Sequence, residues 1–297
     1  DRSRQVGSLL KPVIHLAALE TGQYSPATMI NDAPVSLQQS DGTLWQPQNY
    51  DRKSHGKVPM YEALAKSYNQ ANVRLGMQVG VDKVLQQLKK MGVDQFIPAY
   101  PSALLGAVEM SPLQVNQVYQ TIAGNGFYSP LSLVRQVTQA NGQLLSHFPF
   151  AVRQAASNDA TYLLQHEMRM AAHYGTAKGV YQYLPKQQQV SAKTGTTNDL
   201  KDSWFAGFSG QHVATVWLGR EDAKPTPLTG AGGALHVWAQ LMQHLAYTTY
   251  KDIKPQLIEY YHLNVKTGKA MPNNCPNGVW LPIPKVSAPA LNKTCGY

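Results

Sequence analysis

The chain has 297 residues, 43% of them hydrophobic, and a formal net charge of +9 at pH 7. A chain of this length and apolar content can bury a sizeable core, which excludes extensive disorder. Its basic residues are scattered, with Lys89-Lys90 as the longest run, and we expect no nucleic-acid partner because such binding normally needs a dense basic patch.

The first predicted element is a helix that begins at Ser8 and ends near Gly22. Pro12 has no backbone N–H, so it is best tolerated if Ser8 lies in the first turn of this helix. Residues 23–57 are rich in turn-forming residues, which predicts an irregular excursion. A helical pattern resumes at about Pro59.

In the middle of the chain, Ser111-Pro112 has the form of an N-cap followed by proline at the first helical position. The pattern predicts a helix that ends at Gly124 or Gly126. Residues 131–137 then alternate like a strand, and Asn141-Gly142 is a hairpin turn signal.

Ser157 caps a further predicted helix of about four turns. Three strand-like runs with short turns between them predict antiparallel pairing: 189–193, 204–209 and 212–218. A last helix over 234–245 is predicted to pack four apolar residues on one face: Leu235, Trp238, Leu241 and Met242. Helices first, a short-looped sheet late and no βαβ alternation indicate an α+β fold.

Three short motifs occur in order: Ser8-Leu9-Leu10-Lys11, Ser67-Tyr68-Asn69 and Lys193-Thr194-Gly195. Each is weak alone, and two of them recur. The second Ser-x-x-Lys, Ser54-His55-Gly56-Lys57, contains a glycine and lies in the irregular stretch, so we interpret it as a loop. The second Lys-Thr-Gly, at 266–268, resembles a hairpin tip. Only the first copies are placed to line a cleft.

The first copies contain the groups that acyl transfer requires. A serine hydroxyl is a poor nucleophile at neutral pH and needs a base within hydrogen-bond reach. Lys11, three residues after Ser8, is predicted to share its helical face. Lys11 must be neutral to accept a proton, and a positive charge on Lys193 would lower its pKa. Ser67 and Asn69 would complete a proton relay and hold the substrate amide.

The remaining residues of the motifs are candidates for substrate binding. The backbone N–H groups of Ser8 and Thr196 would form an oxyanion hole. Thr194, with the lysine before it, would bind a carboxylate, while Gly195 leaves room for the acyl chain along the strand edge. Tyr68 would form a wall of the cleft.

The three motifs and the residues around them resemble the transpeptidase domain of class A, bifunctional penicillin-binding proteins. The resemblance runs from Arg4 to about the last predicted helix, and five segments carry it: 7–12, 62–69, 105–113, 174–177 and 192–199. It implies a penicillin-binding or serine β-lactamase-like fold, with an antiparallel sheet flanked by helices and a mainly helical subdomain.

The resemblance also implies a function. The chain would be a serine D,D-transpeptidase or carboxypeptidase that cross-links peptidoglycan without a cofactor or metal. A D-alanyl-D-alanine stem peptide would acylate Ser8, D-alanine would leave, and an amine of a neighbouring strand would accept the acyl group. β-Lactams would acylate the same serine. A membrane anchor and a glycosyltransferase domain upstream, a place on the periplasmic face of the inner membrane, an activator lipoprotein and cell-division proteins are further implications.

We expect residues 1–250 to form the transpeptidase domain and 251–297 a C-terminal tail. Family members carry sheet strands before the nucleophile, whereas seven residues precede Ser8 here. We expect those strands in the intact protein because a sheet without them exposes an unpaired edge.

Cys275 and Cys295 are candidates for a disulfide of an oxidising compartment, with free cytosolic thiols as the alternative. The tail is most similar to the penicillin-binding protein 1b type of Gram-negative bacteria.

The sequence also allows two other functions. A serine β-lactamase needs a carboxylate that activates the deacylating water, and Glu62 and Glu109 are candidates by residue type only. A penicillin-sensing receptor domain would be acylated without synthesising cell wall. Rapid turnover of a chromogenic cephalosporin would indicate the β-lactamase, and D-alanine release from a pentapeptide with an amine acceptor would exclude the sensor.

Overall fold

The computed structural model describes residues 2–38, 42–149, 151–248, 252–276, 278–291 and 294–295. The helices of this part are α1 Lys11–Glu20, α2 Met60–Ala65, α3 Asn69–Val79, α4 Val81–Lys90, α5 Pro112–Ala123, α6 Asn158–His173 and α7 Ala234–His244. Short 3-10 turns lie at Gly7–Leu10, Pro101–Leu105, Lys178–Gln182, Asn198–Leu200 and Lys285–Ser287.

Most strands of the described part are short. They are β1 Arg4–Gln5, β2 Met29–Asn31, β3 Leu37–Gln38, β4 Leu44–Trp45, β5 Lys57–Pro59, β6 Glu109–Met110, β7 Phe127–Tyr128, β8 Gln136–Thr138, β9 Leu144–His147, β10 Arg153–Gln154, β11 Ser191–Thr196, β12 Asp202–Ser209, β13 His212–Gly219, β14 Ile258–Asn264 and β15 Gly278–Pro284.

Helix α1 is the centre of the helical layer. Every residue from Lys11 to Leu19 is buried, because apolar side chains occupy nearly the whole circumference of the helix. Helices α3, α4 and α6 pack around it. A charged residue on such a helix must find its partners inside the protein, which is the situation of Lys11.

Strands β11, β12 and β13 form the main sheet, in that order and all antiparallel. Alternate residues of β12 point to opposite faces. Trp204 and Ala206 join the core around α1, whereas Phe205 packs with Trp238 of α7 on the other face. Among the described residues, β13 pairs on one side only. The sheet and the helices flanking it confirm the predicted α+β fold.

The segment after residue 250 forms more structure than its sequence suggested. Strands β14 and β15 pair as an antiparallel hairpin that packs on α6. Arg169 of α6 is paired with Asp252 at 2.5 Å, and the hydroxyls of Tyr162 and Tyr260 lie 2.9 Å apart. Cys275 and Cys295 form a disulfide with their Cα atoms 5.3 Å apart.

Several predicted elements are confirmed closely. Helix α5 begins after Ser111 with a full capping box and ends at Gly124. The Ser157 side chain accepts a hydrogen bond from the backbone of Ala160 at the start of α6, which has 16 residues. The three predicted strands of the main sheet pair antiparallel, and Asn141-Gly142 lies in the turn between β8 and β9.

Other predictions need correction. Ser8 lies in a 3-10 turn that leads into α1, rather than in the α-helix itself. Residues 23–57 contain short strand pairs that hold the loops between them. The strand predicted over 131–137 is reduced to β8. Every residue of the β8–β9 hairpin is exposed, so the apolar alternation of this segment does not correspond to a buried face. Leu241 is 46% exposed and does not share the buried face of α7. No described helix is long and apolar enough to cross a bilayer.

Candidate active site

A cleft of about 680 Å³ lies between the helical layer and the β11 edge of the main sheet. Residues from all three motifs line it: Ser8, Ser67, Tyr68, Asn69, Thr194 and, after the third motif, Thr196. Ser67 of the second motif and Lys193 of the third are 126 residues apart along the chain. The predicted meeting of the three motifs in one cleft is therefore what the structure shows.

Ser8 is held at the cleft by glycine backbone. Gly7 has φ +52°, and a Cβ atom on it would lie 2.6 Å from the carbonyl oxygen of Thr196. Only glycine adopts this conformation readily and allows such a close approach. The turn that carries Ser8 is thereby pressed against the end of β11.

Lys11 is fully buried below the cleft floor. Its Nζ donates to the carbonyl oxygen of Ser67 at 2.7 Å, to Ser67 Oγ at 3.0 Å and to Asn69 Oδ1 at 2.6 Å. Ser67 has φ +61°, a left-handed conformation that is uncommon for residues other than glycine. This backbone conformation lets both its carbonyl and its hydroxyl face the same lysine.

Lys193 reaches the same hydroxyl from the sheet. Its Nζ donates to Ser67 Oγ at 2.8 Å and to the carbonyl oxygen of Thr194 at 3.0 Å. A hydroxyl has two acceptor lone pairs and one donor hydrogen. Ser67 Oγ therefore lies within hydrogen-bond distance of both amines, and its own hydrogen can be donated to the neutral form of Lys11 or to a group in the cleft.

Burial and mutual proximity act on the charges of the two lysines. Burial is the larger cause and the charge of Lys193 the second, and together they hold the pKa of Lys11 well below the ordinary lysine value, against a smaller opposing effect of Asp32. Burial lowers the pKa of Lys193 to about 7. Both causes favour the neutral form of Lys11, which is the form that can accept a proton.

The Ser8 hydroxyl is not part of this hydrogen-bond cluster. Within the described part of the chain, none of the bonds of Lys11 goes to Ser8, so the predicted contact between Ser8 and Lys11 is not formed in this structure. Hydrogen bonds at unliganded catalytic sites are often incomplete. Ser67 connects the two lysines, while Ser8 lines the same cleft.

A buried carboxylate, which the sequence did not reveal, supports the second motif. Asp32 is fully buried and accepts hydrogen bonds from Asn49 Nδ2 at 2.6 Å, from His55 Nδ1 at 2.8 Å and from the backbone N–H of Ala71 at 2.9 Å. Asn49 Oδ1 in turn accepts from the backbone N–H of Asn69 at 2.6 Å. Two side chains from the preceding loops thus hold the first turn of α3.

Tyr68 forms the predicted wall of the cleft, and His55 lies behind it. The two rings stack with centroids 3.9 Å apart and planes 15° apart. The other ring nitrogen of His55, Nε2, lies 3.0 Å from Asp51 Oδ2. Both ring nitrogens of His55 therefore face carboxylate oxygens, and its ring supports Tyr68 from behind.

A second buried cluster of hydrogen-bonded side chains supports the second motif, Ser67-Tyr68-Asn69, from below. His15, one turn after Lys11 on α1, places Nδ1 2.7 Å from Glu167 Oε2 and Nε2 2.9 Å from Asn72 Oδ1. The amide of Asn72 donates to the carbonyl oxygen of Tyr68 at 2.7 Å. The cluster joins α1, α3 and α6 directly beneath the site. No sequence pattern signals it, because its members are far apart along the chain.

The third motif lines the other side of the cleft. The hydroxyl of Thr194 lies 2.7 Å from that of Thr176, and the hydroxyl of Thr196 accepts from the backbone N–H of Gly230 at 2.9 Å. A Cβ atom on Gly195 would lie within 3 Å of Leu9 and of Trp204, so this position packs without a side chain. The hydroxyls form a polar strip suited to a carboxylate.

The remaining candidates lie outside the cluster. The repeated Ser-x-x-Lys is a loop, in which Ser54 donates to the carbonyl oxygen of Asp32 at 2.8 Å. The repeated Lys-Thr-Gly forms a turn after β14. Glu62 and Glu109 do not line the cleft, whose carboxylates are those of Asp51 and Asp199. The described residues contain no cluster of side chains able to hold a metal ion.

Two buried lysines meet at the Ser67 hydroxyl, between a helical layer and an antiparallel sheet, and this arrangement is suited to acyl transfer through a serine. The family described as the penicillin binding protein transpeptidase domain matches residues 2–235. The chain belongs to the family of penicillin-binding protein transpeptidase domains.

Relatives and solved structures agree with this family. The chain is 42% identical over 289 residues to penicillin-binding protein 1B of Vibrio cholerae, and 38% identical over 259 residues to that of Escherichia coli. These matches cover 95% and 85% of this chain but 37% and 30% of the relatives, so the chain spans about a third of their length.

Two solved structures share the fold at 23% identity. Penicillin-binding protein 1A from Haemophilus influenzae matches with a TM-score of 0.89 over 97% of this chain and 49% of that one. The PonA1 protein of Mycobacterium tuberculosis, solved in complex with penicillin V, matches with a TM-score of 0.72 over 84% of this chain and 72% of that one.

Proposed function

We propose that the chain is a D,D-transpeptidase whose nucleophile is Ser8. The convergence of Lys11 and Lys193 on the hydroxyl of Ser67, in the cleft that Ser8 lines, carries this proposal. A neutral, buried amine one helical turn from a serine is the base that such a nucleophile needs. A rotation of the Ser8 side chain toward Lys11 precedes the transfer of its proton.

The acylation step follows from these groups. Ser8 Oγ attacks the carbonyl carbon of the penultimate residue of the donor, and its proton passes to Lys11 Nζ. The backbone N–H groups of Ser8 and Thr196 stabilise the oxyanion. The Ser67 hydroxyl, which contacts both lysines, relays a proton from Lys11 to the leaving amine of D-alanine as the C–N bond breaks. An ester on Ser8 and free D-alanine result.

The substrate groups are assigned by charge and position. Lys193 and the hydroxyls of Thr194 and Thr196 bind the terminal carboxylate of a D-alanyl-D-alanine stem peptide, and Asn69 holds the amide of the acyl part. Gly195 faces Leu9 and Trp204, so it does not provide the predicted space for the acyl chain, which instead lies against Tyr68. β-Lactams, which also carry a carboxylate beside an amide, acylate the same serine; the penicillin V complex of the related PonA1 protein supports this assignment.

The setting of the domain is part of the same proposal. The parent protein acts on peptidoglycan at the periplasmic face of the inner membrane, with its anchor and a glycosyltransferase domain outside this chain, and with an activator lipoprotein and cell-division proteins as partners. Residues 1–250 form the transpeptidase domain and 251–297 the tail. The disulfide between Cys275 and Cys295 suits an oxidising compartment of this kind.

The decisive experiment is intact-protein mass spectrometry after exposure to benzylpenicillin. We expect the parent to gain the mass of one penicillin molecule and the Ser8→Ala variant to gain nothing. Ser54→Ala, which changes the repeated motif in the loop, serves as the matched control and should be acylated like the parent. An adduct on the Ser8→Ala variant would refute the assignment of the nucleophile.

A serine β-lactamase is the second candidate, and the same sample tests it. Glu62 and Glu109 lie outside the cleft, and the two carboxylates that line it, Asp51 and Asp199, are exposed to solvent. This favours a long-lived acyl-enzyme. We therefore expect stoichiometric reaction with a chromogenic cephalosporin instead of turnover. D-Alanine release coupled to amide formation with an added amine would distinguish a transpeptidase from a penicillin sensor.

A further inference from the structure

A second groove opens beside the catalytic cleft. It has a volume of about 590 Å³ and shares Thr176 and Ala231 with the cleft, so the two spaces adjoin. The 3-10 turn Lys178–Gln182 forms one side of the groove, and Lys186 follows on the next turn of the chain. The proposed acylation chemistry uses none of its lining residues.

The charge of the groove is positive and unopposed. Lys178 and Lys186 are both exposed, and neither side chain makes a hydrogen bond or ion pair among the residues that the structure describes. No Asp or Glu lines the groove. Two free ammonium groups in a concave surface without carboxylates attract an anionic ligand.

An aromatic surface lies beside these charges. His173 and Tyr181 stack with ring centroids 5.4 Å apart. Burial first, and the charge of Arg169 second, lower the pKa of His173 below its ordinary value. His173 is therefore neutral at pH 7, and the pair offers a flat face for the apolar part of a ligand while the lysines supply the charge.

The position of the groove indicates which ligand it takes. The hydroxyl of Thr176, where the groove begins, lies 2.7 Å from that of Thr194, which belongs to the proposed carboxylate site of the departing D-alanine. The acceptor amine attacks the acyl carbon from the place that the leaving amine vacates, because the two steps are the same reaction in opposite directions. An acceptor must therefore approach from the side on which D-alanine leaves.

We propose that this groove binds the acceptor strand, through carboxylates of its stem peptide held by Lys178 and Lys186. The inference rests on the proposed transpeptidase function. In the step concerned, the acceptor amine attacks the Ser8 ester, a C–N bond forms, and the C–Oγ bond breaks. One amine proton passes through Lys11 to Ser8 Oγ, which regenerates the hydroxyl.

The test compares two acceptors on one donor. Purified protein receives a D-alanyl-D-alanine donor together with a short peptide that carries a free side-chain amine and free carboxylates, or with the same peptide after amidation of its carboxylates. The ratio of aminolysis to hydrolysis of the acyl-enzyme is measured for the parent and for Lys178→Glu/Lys186→Glu. Because both products derive from one acyl-enzyme, the ratio is independent of the fraction of active protein.

We expect the double charge reversal to lower the ratio about fivefold or more for the carboxylate acceptor, and to leave the amidated acceptor nearly unaffected. The parent's preference for the carboxylate acceptor should also weaken at high salt. Lys83→Glu/Lys89→Glu, on the exposed face of α4 and away from both spaces, controls for the change in net charge.

Two results would overturn the assignment of the groove: an unchanged ratio with the carboxylate acceptor, or an equal fall with both acceptors. A parent that forms no acyl-enzyme with benzylpenicillin would instead refute the proposed function, and this inference with it. The mass-spectrometric assay therefore distinguishes the two failures.

Discussion

Two buried lysines donate to a single serine hydroxyl, and this places a limit on their charges. Lys11 Nζ lies 3.0 Å from Ser67 Oγ, and Lys193 Nζ is a second amine 2.8 Å from the same oxygen. Neither lysine has a carboxylate partner among the described ion pairs. Two like charges so close and so buried oppose each other, and the charge of Lys193 accordingly lowers the pKa of Lys11 further than burial alone does.

The pH dependence of acylation follows from this arrangement. The pKa of Lys193 is about 7, so its charge is lost as the pH rises through 7, and with it the attraction for a substrate carboxylate. We expect the second-order rate constant for acylation by benzylpenicillin to fall above pH 7, approaching about tenfold per pH unit. Stopped-flow measurements over pH 5–9 check this.

The Lys193→Arg variant tests whether loss of the Lys193 charge causes the alkaline fall. A guanidinium remains charged throughout that pH range, so the alkaline fall should disappear in the variant even if its absolute rate is lower. A penicillin ester without the carboxylate is the matched ligand, and it should show a shallower alkaline fall with the parent. An identical alkaline fall in parent and variant would contradict the assignment.

At the scale of elements, the loops before α3 position the second motif. Asp32, at the end of β2, accepts bonds from Asn49, from His55 and from the first turn of α3. A carboxylate at a helix N-terminus is also favoured by the helix dipole. The irregular stretch therefore acts as a support for Ser67 and Asn69.

Asp32→Asn tests this support. The variant keeps the volume but places an amide N–H against groups that are all donors, which should lower the free energy of unfolding by about 1–3 kcal/mol. Asp32 also raises the pKa of Lys11. The acylation rate should also fall at acid pH, where Lys11 becomes protonated. Without the charge of Asp32, Lys11 stays neutral to lower pH, so this acid fall should move to lower pH.

Urea unfolding and the acylation profile measure the two effects of Asp32→Asn. Asp51→Asn is the control, because Asp51 also contacts His55 but is half in solvent and does not act on Lys11. Loss of stability without a shift of the acid fall would indicate a purely structural role for Asp32.

The elements also show what the sequence could and could not predict. Helix α5 was predictable because its Ser-Pro start and glycine end are local signals. The three motifs were predictable because their residue types and order are specific in combination. The cluster of His15, Asn72 and Glu167 was not, since its members lie 57 and 152 residues apart, and hydrogen bonding across three helices leaves no periodic pattern in the sequence.

At the scale of the whole molecule, three clusters of buried apolar residues form the core. One surrounds α1 and one lies between α7 and the sheet, so the cleft lies where the two largest cores meet. The third joins the β14–β15 hairpin to α2 and the nearby loops. The hairpin was not predicted from the sequence because its contact with α6 includes a pair of tyrosines, Tyr162 and Tyr260, and tyrosine is also common on surfaces.

The disulfide between Cys275 and Cys295 stabilises the C-terminal part of the molecule. It joins residues 20 apart, and closing a loop of that length stabilises a fold by about 3 kcal/mol in the chain-entropy model. The Cys275→Ser/Cys295→Ser variant should therefore open more readily at β14 and β15, with faster amide exchange there than in β11 and β12. Penicillin acylation should continue, because the cysteines do not line the cleft. Equal acceleration of exchange in both hairpin and main sheet would show instead that the tail and the catalytic domain unfold as one cooperative unit.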